Sequence, residues 1–378
     1  MATPDIPRSS SALPPLPGDP STLRVREPGE LLAAVPILLG FHPRESLVLV
    51  ATGGESGRRL GLTLRVDLPP PEHDAAVAAD AVQNLLLDSP TGAAVIVVAG
   101  SAEAVRPRED LVGLVVHALE ARGIDVHTVL STPSTAAGAR WTCYDPCGCT
   151  GLVPEGSATP FAAASVAAGR VVRADRNELE QLLAPAHPER IRRREALLIQ
   201  AADEALYQPD PGASRRAAAD REGLDAELTL VDAAIADAAA DRLVLDDTRV
   251  VALAGALAVP DVRDAALLRC VGPAAAAAEQ LWTALVRETP DPEAAEPAAL
   301  LAVSAMVRGD GALANIALDR AEQAWPGHRL TAILRSVLLG MRPEEIREWV
   351  RGGGEQGGVS AVPFPTSRRT IRRNRPGA

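Results

Sequence analysis

Lysine is missing from this chain: all 38 basic residues are arginine. A Schiff-base amine, a pyridoxal anchor and the lysine of a phosphate-binding loop are therefore excluded. Aromatic side chains are almost as scarce, at 2% of 378 residues. Cores must be built from Leu, Val, Ala and Ile, and no aromatic platform is available for stacking the bases of a single strand. No segment reaches the roughly 18 consecutive apolar residues of a membrane span. The spacings G-x-S-x-G and H-E-x-x-H and the calcium-loop pattern do not occur, and the six His are dispersed.

Acidic residues outnumber basic ones, for a formal charge of −11. The last twelve residues, Ser367 to Ala378, hold five Arg and no acid, which leaves 33 of the 38 Arg against 49 acids in the rest of the chain. Such a body repels polyanions. Nucleic acid is expected, if anywhere, only at the basic tail, and no membrane partner is expected. The N-terminal stretch MATPDIPRSSSALPPLPGDP lacks the apolar segment of a secretory signal, so the expected location is the cytoplasm, with the four Cys reduced. No cofactor is expected.

The chain is organised around residues 31 to 67. Leu31 to Leu39 is apolar nearly throughout, which suits a buried helix; Gly40 can cap it in the left-handed conformation, and Pro43 blocks a restart. Ser46 to Thr52 (SLVLVAT) reads as a strand buried on both faces. Leu60 to Asp67 (LGLTLRVD) alternates apolar and polar residues, as a strand with one wet face does. The Gly-rich GGESGRR between them predicts an antiparallel hairpin, with the GFHPRES loop, Arg65 and Asp67 at one rim.

LLAAVPILLGFHPRESLVLV followed by LGLTLRVDLP resembles the opening signature of the actinobacterial family of domains of unknown function numbered 4192. The resemblance extends through WTCYDPCGCTG to ALLAVSAMVRGDGALANIALDRAEQAWP and so covers most of the chain outside its tails. It implies no activity, substrate or catalytic residue. Where the family carries two adjacent cysteines this chain has Cys147-Gly148-Cys149, so a role for adjacent thiols does not transfer.

Residues 1 to 22, rich in Pro and Ser, are expected to be a disordered tail, and Leu23 to Arg26 a short edge strand. After the hairpin, Glu72 to Leu87 and Pro107 to Arg122 have helical periodicity. They alternate with strands at Ala93 to Ala99 and Asp125 to Ser131, a pattern of parallel pairing, and Arg140 to Tyr144 adds an antiparallel strand. Residues 23 to 186 are thus expected to form an α/β domain with a mixed sheet. From 187 to 352 strand signals all but vanish and nine helices are expected, starting after the break at His187-Pro188. Among them Leu301, Gly309, Asp310, Ala314, Leu318, Ala321 and Pro326 have the offsets of one tetratricopeptide-like helical hairpin. Residues 353 to 378 read as a Gly-rich linker and basic tail. Gly352, Gly354 and Gly357 satisfy G-x-G-x-x-G, but they follow a helix instead of a strand and so do not bind a dinucleotide.

Three chemical signals remain. Cys143, Cys147 and Cys149 (C-x3-C-x-C) are open to three readings: a metal site completed by His127, a redox pair, or small thiols in a tight turn; of these, metal is not expected. Arg190, Arg192, Arg193 and Arg194, flanked by Glu189 and Glu195, are expected on a solvated helix face with local ion pairs. Arg44, Glu45, Ser46, Arg65 and Asp67 gather donors and acceptors at the hairpin rim and form the candidate ligand or partner site, with a structural ion pair as the competing reading. Two functions follow. The first is a non-catalytic interaction or regulatory protein whose helical domain meets a protein partner; the second is an enzyme or small-ligand binder using the rim.

Overall fold

The computed structural model describes residues 27–54, 59–100, 106–155, 171–206, 213–338, 341 and 343–355. The N-terminal tail, the strand expected at Leu23 to Arg26 and the basic C-terminal tail lie outside the described residues. The chain separates into two compact units, one of Met1–Leu38 with Pro43–Val171, the other of Leu39–His42 with Val172–Ala378.

The first unit begins with helix α1 (Pro28–Leu39), which starts three residues before the apolar run because Pro28 suits a first helical turn. Gly40 ends it at φ +77°, the left-handed cap expected of it. Strand β1 (Ser46–Gly53) follows and is buried from Ser46 to Thr52. It pairs antiparallel with β2 (Arg59–Asp67) on one side and with β3 (Gly92–Val98) on the other. Helix α2 (Asp74–Leu85) carries the chain from β2 across β1 to β3, and α3 (Glu109–Glu120) carries it from β3 to its parallel neighbour β4 (Asp125–Thr132). Antiparallel β5 (Arg140–Cys143) and β6 (Thr150–Leu152) complete a mixed six-stranded sheet of order β2-β1-β3-β4-β5-β6.

One face of this sheet makes a core. Leu47 and Leu49 of β1 and Val95 and Val97 of β3 pack with Val82 and Leu85 of α2 and Leu111 and Val115 of α3, joined by Leu62, Leu64 and Val66 of β2. The alternation in β2 therefore places its leucines inward, leaving Thr63, Arg65 and Asp67 on the other side. Strand β2 is an edge, where unpaired amides invite pairing with another chain. Here the Leu62 N–H donates to Asp88 Oδ2 at 2.8 Å, and a Cβ on Gly61 would stand 2.2 Å from that oxygen. A glycine next to Leu62 is what admits the carboxylate.

The second unit is helical: α4 (Arg176–Leu182), α5 (Pro188–Leu206), α6 (Ala213–Ala239), α7 (Asp247–Ala258), α8 (Pro260–Arg269), α9 (Ala275–Glu288), α10 (Ala295–Arg308), α11 (Gly311–Ala324), α12 (Arg329–Leu338) and α13 (Pro343–Glu355). Helix α4, which the sequence reading assigns to the α/β half, falls in this unit, where Arg176 meets Asp319 of α11 at 2.9 Å. Helix α10 is its centre. Every residue from Ala295 to Val307 is buried, and α7, α8, α9, α11, α12 and α13 all pack against it. Gly309 (φ +79°) ends α10, and Asp310 caps α11 by accepting the Leu313 N–H at 3.0 Å. Helix α13 runs to Glu355, so Gly352 to Gly354 are helical where the sequence suggested a linker. Among the described residues no helix is long and apolar enough to cross a membrane.

Candidate functional site

Register builds the rim. Because β1 runs antiparallel to both neighbours, Ser46 stands opposite Asp67 on one side and Val98 on the other, and Val98 lies beside Thr132 in the parallel pair β3 and β4. The start of β1 and the carboxyl ends of β2, β3 and β4 thus share one edge of the sheet.

All five residues expected together are together there. Ser46 is fully buried; its hydroxyl donates to the Arg44 carbonyl at 2.6 Å and accepts from Arg65 Nε at 2.8 Å. Arg65 Nη2 pairs with the Asp67 carboxylate and stands 3.5 Å from the Arg44 carbonyl. The Arg65 side chain is 12% exposed and that of Asp67 77% exposed, so the guanidinium is laid along the sheet while the carboxylate faces water. Glu45 adopts φ +42°, uncommon for a residue with a side chain, and its carbonyl accepts the Leu68 N–H at 2.8 Å. That bond ties the start of β1 to the end of β2. Beside it, a Cβ on Gly100 would lie 3.2 Å from Glu45 Cγ. Much of the Arg65 hydrogen-bonding capacity is therefore spent on its own chain, and the outward polar groups are Arg44, Glu45 and Asp67. The loop divides before this point: Gly40 to His42 cluster with the second unit, where Arg173 N–H donates to the Gly40 carbonyl at 2.8 Å and His42 N–H to the Arg173 carbonyl at 3.2 Å.

The cysteines occupy the β5–β6 hairpin. Cys143 is buried at the end of β5, and Cys147 and Cys149 are exposed in the turn. Cys143 Sγ donates to Asp145 Oδ2 at 3.2 Å, and the Cys149 N–H donates to Cys147 Sγ at 3.3 Å. Burial pushes the Cys143 thiol up to about 11, whereas hydrogen bonds from Cys149, side chain and then backbone, hold Cys147 below the usual thiol range. His127 does not join them. It is the extra residue of a bulge in β4, between the pairs Ala93–Val126 and Ala94–Thr128, and its Nε2 reaches 3.0 Å to Thr52 Oγ1 across Gly92, where a Cβ would stand 2.1 Å from Nε2. Among the described residues no group of three or more His, Cys, Asp or Glu is arranged to hold a metal ion.

Sequence reading missed two buried ionic networks in the helical unit. Arg194 is 1% exposed instead of solvated. It donates to Asp247 Oδ1 at 2.9 Å, to the carbonyls of Glu288 at 2.8 Å and Leu245 at 2.9 Å, and to the Glu288 carboxylate. Its neighbours Arg190 and Arg193 reach the same two acids, so these ion pairs join distant helices and do not use Glu189 or Glu195. A signal was present: Arg194 continues the stripe Ile191, Arg194, Leu198, the inward spacing of a helix. The second network centres on Glu296 of α10, whose Oε1 lies 3.2 Å from His328 Nε2 and 3.5 Å from Arg263 Nη1. His328 Nδ1 in turn meets Thr331 Oγ1 at 2.8 Å.

The chain belongs to the family described as domain of unknown function (DUF4192), whose model matches residues 28–344. No curated protein and no solved structure matched it.

Proposed function

We propose that this member of the family is a non-catalytic interaction or regulatory protein of the cytoplasm, recognising a protein partner through Arg44, Glu45 and Asp67 of the rim and through its helical unit. The observation that supports it is the internal use of Arg65: a guanidinium bonded to Ser46 and Asp67 shapes a charged surface instead of offering an empty cation to a substrate. In the helical unit, Trp325, one of only four Trp, is 47% exposed at the end of α11. Trp is enriched among residues that dominate interface energies. The α10–α11 pair also carries the tetratricopeptide-like offsets, which suits a helical surface made for packing against another protein.

One observation favours the small-ligand reading. The rim coincides with the carboxyl ends of the parallel pair β3 and β4, where open α/β sheets bind ligands.

Affinity capture with the full chain from its native host, analysed for both proteins and small molecules, separates the two. On the interaction reading a protein is retained, and the double change Arg44→Ala with Asp67→Ala lowers its retention at least tenfold. The melting temperature should hardly move, since exposed ion pairs contribute about 1 kcal/mol or less. Retention of a small molecule that is lost with Arg65→Ala would replace this reading with the other. Partner binding that is indifferent to all three substitutions would remove the rim from the proposal.

A further inference from the structure

The β5–β6 hairpin plays no part in the rim, yet it gathers three of the chain's four cysteines in seven residues. Cys147 Sγ accepts the backbone N–H of Cys149 at 3.3 Å. The turn has a reason to be bent this way. Gly148 sits at φ +62°, a left-handed conformation that disfavours side chains, and the bend aims the Cys149 N–H at Cys147 Sγ. Across the hairpin the Cys143 N–H donates to the Cys149 carbonyl at 2.9 Å, which fixes the base of the turn. Two exposed cysteines one residue apart are thereby held on an anchored turn, the backbone of one bonded to the sulfur of the other, with buried Cys143 at the base.

We propose that Cys147 and Cys149 form a reversible dithiol–disulfide site that exchanges with small disulfides, Cys147 attacking and Cys149 resolving. In the first step the Cys147 thiolate attacks one sulfur of a disulfide RSSR. A Cys147–SR bond forms, the RS–SR bond breaks, and the departing thiolate takes a proton from water. In the second step Cys149 gives its proton to water and attacks Cys147 Sγ; the Cys147–Cys149 bond forms, the Cys147–SR bond breaks, and the departing thiolate takes a proton from water to leave as the second RSH. The protein loses two electrons and two protons, and the disulfide gains both.

The roles follow from the surroundings. Cys147 Sγ accepts the Cys149 N–H at 3.3 Å, a bond that stabilises its thiolate, the attacking species, and its thiol is held below the usual range while that of Cys149 is held above it. Cys143 is buried and engaged with Asp145, so it is placed behind the pair and does not resolve it. A disulfide closed over one intervening residue is a tight ring, and strained bridges are the readily reduced ones, as reversibility requires.

The test uses the full-length reduced chain with oxidised glutathione as probe, followed by alkylation and intact-mass and peptide analysis. Wild type should lose two hydrogens and block Cys147 and Cys149, and dithiothreitol should reverse the change. Cys149→Ser should hold one glutathione on Cys147. Cys147→Ser should form no bridge and react at least tenfold more slowly, and Cys143→Ser should behave as wild type. Buried Cys270 serves as the unreactive internal control. Both exposed positions tolerate Ser without loss of packing, which unchanged melting temperatures will verify. A wild-type bridge that includes Cys143, absence of the trapped adduct in Cys149→Ser, or Cys147→Ser reacting at the wild-type rate would overturn the proposal.

Discussion

Arg194→Ala should destabilise the helical unit by about 3–5 kcal/mol, the range for removing one partner of a buried ion pair. The substitution leaves Asp247 and Glu288 with only the more exposed Arg193 and Arg190, opens a space where the buried guanidinium lay, and strips the carbonyls of Leu245 and Glu288 of a donor. Arg194→Lys should rescue little, because an ammonium cannot reproduce a fork that spans four acceptors on three residues. Urea unfolding followed by circular dichroism checks both, and a loss under about 1 kcal/mol would show that the network relaxes around the gap. The same network gives the wild type an acid limb. Arg193 and then Arg194 hold the Asp247 carboxyl below the usual carboxylate range, and Arg249 does the same for Asp237. A carboxyl lowered on folding contributes its full stability above the unfolded value, about pH 4, and loses it as pH falls through the folded value. Wild-type melting should therefore drop below about pH 4, and Arg194→Ala should flatten that drop.

Glu296→Ala should be the next most damaging change, at about 3 kcal/mol, through a lost buried ion pair and a hole in the centre of the bundle. Its carboxylate is 7% exposed and lies between Arg263 and His328. Arg263 also meets Asp264 at 3.0 Å and His328 also meets Thr331, and no buried carbonyl loses its donor as Leu245 and Glu288 do without Arg194, which places the effect below that of Arg194→Ala. Glu296→Gln, which keeps the shape and one acceptor, should cost less than half as much in the same urea titration. Equal losses for Ala and Gln would mean that charge, and not packing, sets the requirement.

The contrast between these networks and the sheet shows where sequence is informative. The hairpin was legible because period-2 alternation in β2 and an unbroken branched run in β1 each admit one placement relative to a core. The helices of the second unit were legible from their Gly, Pro and Asp boundaries. Strand β6 was not, since three residues carry too short an alternation, and the bulge at His127 leaves no mark in composition. Helix α13 continues through three glycines against local propensity because Ile346 and Val350 upstream are buried and anchor it. At the rim, alternation and register located the five residues. It could not show that Ser46 would take up Arg65 Nε, which depends on hydrogen-bond directions that only the folded chain sets. Arg194 was misread because charge outweighed position in a run of four arginines.

Helix α10 has no wet side. A helix covered by six others has no independent route to solvent, and its alanines offer little to bury until those neighbours are in place. Its amides can then exchange with deuterium only when the whole unit opens, whereas the exposed stretch 201–204 of α5 can open on its own. The slowest-exchanging protons of the second unit should fall between Leu300 and Met306 and report its global opening free energy. Protection there measures the stability of the entire helical unit from a single peptide.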